Sequence, residues 1–307
     1  MLNQSKPISV FNFKPGTCLR GKWHQRTYYI KEKLGTGAVG AVYLAKQDNN
    51  QWVALKISDK AASITSEINV LKKLAKVQGE SPGPSLYEID DWIDRRGECY
   101  PFYTMEYVQG ESLDTFLNKR GRQWLGVLFP QLLEELEQLH RVGFILGDLK
   151  IENVIVTHRP IRLRFIDVGG VTLIGRSVKE YTEFYDRGYW QCGNRTADPA
   201  YDLFALAMMA LRFAYPNQFG RTKEPKKYLI TKLKQASPLK PYDPIFHKAL
   251  LGQYQNSQEM QQDFKKRTRQ LTTKRSAVQQ QKRDIDWLEI VICISISVIL
   301  FFLATFY

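Results

Sequence analysis

Cysteine is scarce in this chain of 307 residues, and the four present (Cys18, Cys99, Cys192 and Cys293) form no Cys-x-x-Cys pair. Neither a zinc ribbon nor a disulfide framework is implied, which suits a reducing cytoplasm. Residues 1–9 contain no apolar run, so no secretory leader is expected. Acidic residues are missing altogether from 265–283, which hold eight Lys/Arg, and nearly missing from 221–240, where seven Lys/Arg face only Glu224. The formal net charge is +13, so the remainder of the chain is close to neutral and the basicity is local. With 44% hydrophobic and 12% aromatic residues, most of the chain is expected to be globular, with one large core or two modest ones.

Residues 1–27, with Pro7, Pro15, Gly16 and Gly21, read as an irregular arm on the first domain. From Tyr28 the pattern becomes that of strands. Val42 and Leu44 alternate with Tyr43, and Val53, Leu55 and Ile57 alternate with Ala54 and Lys56, across a turn at Asp48-Asn49-Asn50. Gly35-x-Gly37-x-x-Gly40 therefore sits in a hairpin, where a dinucleotide-binding fold would place those glycines at the start of a helix. Glycines in a hairpin let backbone amides approach phosphates closely. Alone the motif is weak; followed by Val53-Ala54-Leu55-Lys56 it is specific. Over 62–77, Ile64, Ile68, Leu71 and Leu74 make an amphipathic helix with Glu67 beside the stripe, where an acid is ordinarily just solvated. A Pro/Gly turn at 81–84 precedes a strand pair ending in Met105-Glu106-Tyr107-Val108, and Gly110 opens a linker. Helices are expected from Ser112 and over 123–140, the latter with Leu128, Leu132, Leu136 and Leu139 in register. His140 at its end reads as a packing or capping residue.

The chain is organised around Ile145-Leu146-Gly147-Asp148-Leu149-Lys150-Ile151-Glu152-Asn153-Val154 and the following Phe165-Ile166-Asp167-Val168-Gly169. An acid, a lysine two on, an amide five on and a second acid leave apolar strand ends together. Such oxygen donors suit a divalent metal beside a phosphate. Taken by itself, the stretch has a plainer alternative, a polar turn between strands.

In their order and spacing these motifs resemble the protein kinase family over 28–264. The resemblance implies an α+β, bilobal fold, with a β-rich N-lobe at 28–108 and a helical C-lobe at 109–264. It implies ATP and Mg²⁺ (or Mn²⁺) as cofactors and protein Ser/Thr hydroxyls as acceptors, since Lys150 two residues after Asp148 is the serine/threonine-type loop. By position, Asp148 is the proton acceptor and Lys150 steadies the γ-phosphate, while Asn153 and Asp167 hold metal. Lys56 holds the α- and β-phosphates and Glu67 keeps it pointed at them. Gly35, Gly37 and Gly40 cover the phosphates, and Val42, Ala54 and Met105 border the adenine. The backbone of Glu106 and Val108 binds the base. Asp202 matches the acid that anchors the catalytic loop.

Departures from the family are equally specific. The usual His-Arg-Asp is Leu146-Gly147-Asp148, so the arginine that senses an activation-loop phosphate is missing. Thr172, Ser177, Tyr181, Thr182 and Thr196 remain available for phosphorylation. The metal loop has Val168 in place of Phe. The closing Ala-Pro-Glu is replaced by Tyr181-Thr182-Glu183-Phe184-Tyr185-Asp186-Arg187-Gly188-Tyr189-Trp190, and its partner arginine is absent from 250–264; losing both members of an ion pair strands no charge. This segment is most similar to that of the tail-anchored Ser/Thr kinases of spore-forming bacilli, which implies a DNA-responsive linker and a link to sporulation.

The only long apolar run is at the C-terminal end. At about 1.5 Å per residue, 287–307 spans roughly the 30 Å of a hydrocarbon core. It is expected to be a single-pass transmembrane anchor in the cell membrane, with Trp287 and Tyr307 as interface residues. The cations before it at 265–286, Lys265, Lys266, Arg267, Arg269, Lys274, Arg275, Lys282 and Arg283, place the lobes on the cytoplasmic side. They are expected to meet anionic lipid or to neutralise DNA phosphates without reading sequence, with Phe264 the one base-stacking candidate. Two alternatives stay open: a small-molecule kinase of the aminoglycoside-phosphotransferase type, suggested by Gly147-Asp148, and an inactive kinase fold tethering DNA to membrane. Substrates, regulator and oligomeric state have no signature in the sequence.

Overall fold

The computed structural model of the chain describes residues 11–37, 39–76 and 82–273, together with Trp287 and Ser295. The first half of the chain builds a six-stranded antiparallel sheet. Its strands are β1 (Cys18–Arg20), β2 (Thr27–Gly37), β3 (Gly40–Gln47), β4 (Trp52–Ile57), β5 (Leu86–Ile93) and β6 (Cys99–Glu106), in the order β1-β2-β3-β4-β6-β5. Alternation sends Tyr43, Val53, Leu55, Ile57 and Phe102 into one cluster with Leu19, Tyr28 and Ile30, capped by Phe11 and Phe13. Ala54, Tyr103 and Met105 face the opposite way, towards helix α1 (Ala61–Leu74) and the second lobe. Both faces are therefore buried, which is why β3 and β4 are apolar at nearly every position.

The N-terminal stretch is not wholly irregular. Cys18–Arg20 pairs with Thr27–Tyr29 as an edge strand, and Leu19 is fully buried beneath it. A three-residue strand between Gly16 and Gly21 is too short to show a period, so sequence patterning passes over it.

The second lobe begins with β7 (Glu111–Ser112) and α2 (Leu113–Arg120), capped where Ser112 Oγ accepts the Thr115 amide at 3.2 Å. Helix α3 (Leu125–Arg141) buries Leu128, Leu132, Leu136 and Leu139 completely. Short strands follow: β8 (Phe144–Ile145), β9 (Val154–Val156), β10 (Leu163–Phe165) and β11 (Thr172–Leu173), pairing as β10-β9-β7 and β11-β8. Helix α4 (Pro199–Ala214) is buried on all sides from Tyr201 to Leu211 and forms the axis of the lobe. Around it lie α5 (Pro225–Gln235), α6 (Asp243–Leu250) and a last helical stretch over 257–273.

That last stretch crosses the expected boundary at 264 without a break. Phe264 is 0% exposed among Phe129, Tyr242 and Phe246. It is a core residue and offers no face to a nucleic-acid base. Sequence reading misplaced it because the helix is apolar on one side only, and the cations on its other side dominate the composition. Among the described residues no helix is long and apolar enough to cross a membrane. The expected span at 287–307, apart from Trp287 and Ser295, and the cations Lys274, Arg275, Lys282 and Arg283 lie outside the described residues.

Candidate active site

The groups singled out from sequence converge between the two lobes. Lys56 projects from β4 and is almost fully buried, with Nζ 2.7 Å from Glu67 Oε2 on α1 and 3.3 Å from Asp167 Oδ1. Burial alone would lower the Lys56 pKa, but the carboxylates of Asp167 and Glu67 outweigh it, so the ammonium is held charged. Glu67 is not a solvated helix acid: it is 3% exposed, and its Oε2 also accepts the Tyr103 hydroxyl at 2.6 Å. Sequence patterning missed Tyr103, which looks like any strand aromatic.

Asp148, Lys150 and Asn153 occupy the loop between β8 and β9. Lys150 Nζ bonds Asp148 Oδ2, and Asn153 Nδ2 donates to the Asp148 carbonyl at 3.0 Å. The Asn153 carbonyl accepts the Ile166 amide at 2.9 Å, which sets the Asn153 side chain beside the loop carrying Asp167. Asp167 Oδ1 takes the Gly169 amide at 3.0 Å as well as Lys56. Although burial pushes the Asp167 carboxyl up, Lys56 and the Gly169 amide hold it below the usual carboxylate value.

Two glycines explain the missing arginine. Gly147 has φ +78°, and a Cβ there would stand 2.5 Å from the Gly170 carbonyl oxygen. A Cβ on Gly170 would in turn meet the Asp148 Cβ at 2.8 Å. The catalytic loop and the metal loop therefore touch backbone to backbone, and no side chain fits between them. Behind them the fully buried Asp202 on α4 accepts the amides of Leu146 (2.7 Å) and Gly147 (2.9 Å). His140 Nε2 lies 3.0 Å from Asp202 Oδ2, and its Nδ1 lies 3.0 Å from Ser257 Oγ. His140 is thus a buried packing residue that holds Asp202.

The segment after Asp167 supplies groups that sequence reading did not place. Thr182 Oγ1 donates to Asp148 Oδ1 at 2.9 Å and accepts Lys150 Nζ at 3.3 Å. Glu180 lies near Asp167, Glu67 and Asp148; burial, then those charges, push its carboxyl up. The segment is pinned by Asp186, which accepts the Gly188 and Tyr189 amides and the Tyr201 hydroxyl and pairs with Arg195 at 2.7 Å. Arg187 makes a fork with Asp198 (2.8 and 2.5 Å) and caps the Asn194 and Thr196 carbonyls. Ion pairs between irregular loops carry no periodic signal, which is why the segment gave only its departures from the family pattern.

At the nucleotide end, Val42 is half-buried against the large core, and Ala54, Met105 and Val108 are buried. A Cβ on Gly40 would collide with the Ile57 carbonyl, whereas Cβ atoms on Gly35 and Gly37 would meet nothing within 4 Å. Packing requires Gly40, whereas Gly35 and Gly37 are exposed and a Cβ there would meet only open space. The Glu106 side chain accepts a fork from Arg164 at 2.6 and 3.1 Å. A cavity of about 620 Å³ is lined by Glu106 and Val108 on one side and by Thr157, Arg162 and Arg164 on the other, and its lining includes neither Lys56, Asp148 nor Asp167.

Known proteins resemble the chain over most of its length. A family model described as protein kinase domain matches residues 28–285. The serine/threonine-protein kinase YabT of Bacillus subtilis is 45% identical over 265 residues, covering 86% of this chain and 78% of its own. The serine/threonine-protein kinase cds1 of Schizosaccharomyces pombe is 32% identical over 158 residues, 46% of this chain and 32% of its own. Among solved structures, vaccinia related kinase 3 superposes with a TM-score of 0.60 at 16% identity, covering 86% of this chain and 94% of that one. At that identity the superposition speaks for the fold alone.

Proposed function

The chain belongs to the protein kinase family and is a serine/threonine-protein kinase; from that premise we propose the roles of its residues and the setting in which it works. The observation that carries the assignment is the seat of Thr182. A threonine hydroxyl of the chain itself donates to Asp148 while Lys150 covers the same oxygen. A substrate Ser or Thr in that seat gives its proton to Asp148 as its oxygen attacks the γ-phosphate, and Lys150 compensates the charge that develops there.

Lys56, held by Glu67, binds the α- and β-phosphates of ATP, and the amides of the Gly35–Gly40 hairpin cover them. Val42, Ala54 and Met105 enclose the adenine. The Glu106 amide is taken by the Ser85 carbonyl at 2.8 Å, so the base meets the Glu106 carbonyl and the Val108 amide. Asn153 and Asp167 are hard oxygen donors on adjoining loops. Glu67, Asp148, Asp167 and Glu180 outnumber the nearby Lys56 and Lys150, leaving an excess of negative charge that fits a divalent cation. Mg²⁺ or Mn²⁺ held by Asn153 and Asp167 supplies charge neutralisation at the phosphates.

The setting is the cytoplasmic face of the cell membrane, with 287–307 as the anchor and 265–286 as a basic linker. Lys265, Lys266 and Arg269 are exposed, while Arg267 is spent on the Pro241 carbonyl at 2.6 Å. With Phe264 in the core, DNA or anionic lipid binds this linker by charge alone and releases it in salt. The test is phosphate transfer to a basic protein by the 1–286 fragment, with and without DNA and anionic vesicles, beside a form with the eight linker cations changed to Gln. Stimulation lost in the Gln form supports the linker; stimulation that persists refutes it. Transfer to aminoglycosides or sugars in place of protein would favour the small-molecule reading.

A further inference from the structure

The turn between β1 and β2 is fastened to β5, so that the first and last strands of the sheet meet. Asp90 Oδ1 accepts the amides of Trp23 (2.8 Å) and Asp91 (2.7 Å), and Oδ2 accepts that of His24 (2.9 Å). Trp23 Nε1 donates to Asp91 Oδ2 at 2.9 Å, and the Lys22 amide to the Asp91 carbonyl at 2.8 Å. Gly21 admits this approach, since a Cβ there would collide with Asp90 Oδ2. The imidazole of His24 is thereby set over two carboxylates: Nδ1 lies 3.1 Å from Glu88 Oε1 and 3.3 Å from Asp90 Oδ2. The Glu88 side chain is only 10% exposed. Its Oε2 is engaged by the Tyr28 hydroxyl at 3.1 Å and Arg26 Nε at 3.2 Å, whereas the buried Oε1 has only the His24 contact and makes no aligned hydrogen bond. A buried carboxylate oxygen without a hydrogen bond is costly.

We propose that His24 Nδ1, Glu88 Oε1 and Asp90 Oδ2 are the protein ligands of a zinc ion that clips the β1–β2 turn to β5. In a tetrahedral site with bonds of about 2.0–2.1 Å, neighbouring ligand atoms stand about 3.3 Å apart. The two edges at Nδ1 have that length, and all three donor atoms lie within 4.8 Å of one another. One imidazole nitrogen and two carboxylate oxygens form a donor set zinc accepts, with water completing it on the side where His24 is 56% exposed. Both carboxylates are already oriented, Glu88 by Tyr28 and Arg26, and Asp90 by backbone amides. The ion satisfies Glu88 Oε1 and closes the sheet at its two edges. It has no part in phosphoryl transfer.

The test uses the full chain carrying Asp167→Asn, which removes the acid offered to metal in the cleft. Metal-stripped protein is titrated with ZnCl₂ by calorimetry, with CoCl₂ by visible absorption, and melted with and without zinc. The expected result is one equivalent of zinc bound, a higher Tm with zinc, and a tetrahedral cobalt spectrum without a thiolate charge-transfer band, which excludes Cys18 and Cys99 as ligands. His24→Gln and Glu88→Gln each weaken binding at least about tenfold. Absence of saturable zinc binding overturns the proposal, as does binding that neither substitution alters. An imidazolium that merely pairs with the carboxylates is the third outcome, and it too overturns the zinc site: His24→Gln then lowers Tm equally with and without zinc.

Discussion

Lys56 shows how much a single residue must reconcile. Its ammonium is buried against two carboxylates, and each of those has a second partner or role. Glu67 also receives Tyr103, and Asp167 also accepts the Gly169 amide. Removing one partner strands charge in a buried place. Glu67→Gln is therefore expected to raise KM for ATP several-fold and to lower kcat, as Lys56 swings wholly onto Asp167; steady-state kinetics at varied ATP checks this. Gly147 sets the opposite limit. Restoring the family arginine there forces a side chain to φ +78° against the Gly170 carbonyl. Gly147→Arg is expected to cost about 2 kcal/mol or more and to lose activity, with no gain of phosphate-dependent control. Thermal melting and activity of the purified variant, before and after phosphatase treatment, would show it.

At the scale of elements, α3 and the segment 177–198 carry the most consequence. Glu135 on α3 is half-buried, with its Oε2 buried and unbonded, and the desolvation raises its pKa from 4.5 to about 8. The folded state thus keeps a proton that the unfolded chain gives up near pH 4.5. The contribution to stability is fully present below that pH and is lost as pH rises through about 8. Melting curves are expected to show the wild type losing Tm across this window, while Glu135→Gln loses less and melts higher at about pH 8.5. In the segment 177–198, the Asp186–Arg195 and Arg187–Asp198 pairs take the place of the family's closing ion pair. Arg187→Leu leaves the Asn194 and Thr196 carbonyls without their donor and Asp198 with only the Tyr201 amide, and is expected to destabilise by about 1–3 kcal/mol and to loosen Thr182 from Asp148. Hydrogen exchange over 177–198 would report both.

For the whole molecule, the legible part of the sequence is the part that chemistry constrains. Phosphate and metal accept few residue types at few spacings, so Lys56, Asp148, Asn153 and Asp167 stand out although they are far apart in the chain. The structure joins them through the Lys56–Asp167 and Asn153–Ile166 contacts. What stayed hidden has no spacing to betray it: the three-residue strand Cys18–Arg20, the Tyr103 hydroxyl on Glu67, the Thr182 hydroxyl on Asp148, and the ion pairs of the closing segment. Phe264 was misplaced for a related reason, since a basic helix face masks the apolar one packed on α3. The lobe and the linker are consequently one continuous helix as far as 273. The first residue of that helix, Ser257, bonds His140 and through it Asp202.

The central claim is that Asp148 takes a proton from a Ser or Thr hydroxyl while ATP is held by Lys56. It is tested most directly by phosphoamino-acid analysis of a protein substrate after incubation with MgATP and either the wild type or Asp148→Asn. Phosphoserine and phosphothreonine are expected from the wild type, and a rate lower by about 10²–10⁴-fold in the variant with its Tm and ATP binding retained. Equal rates from the two proteins, or phosphate found only on tyrosine, would contradict it.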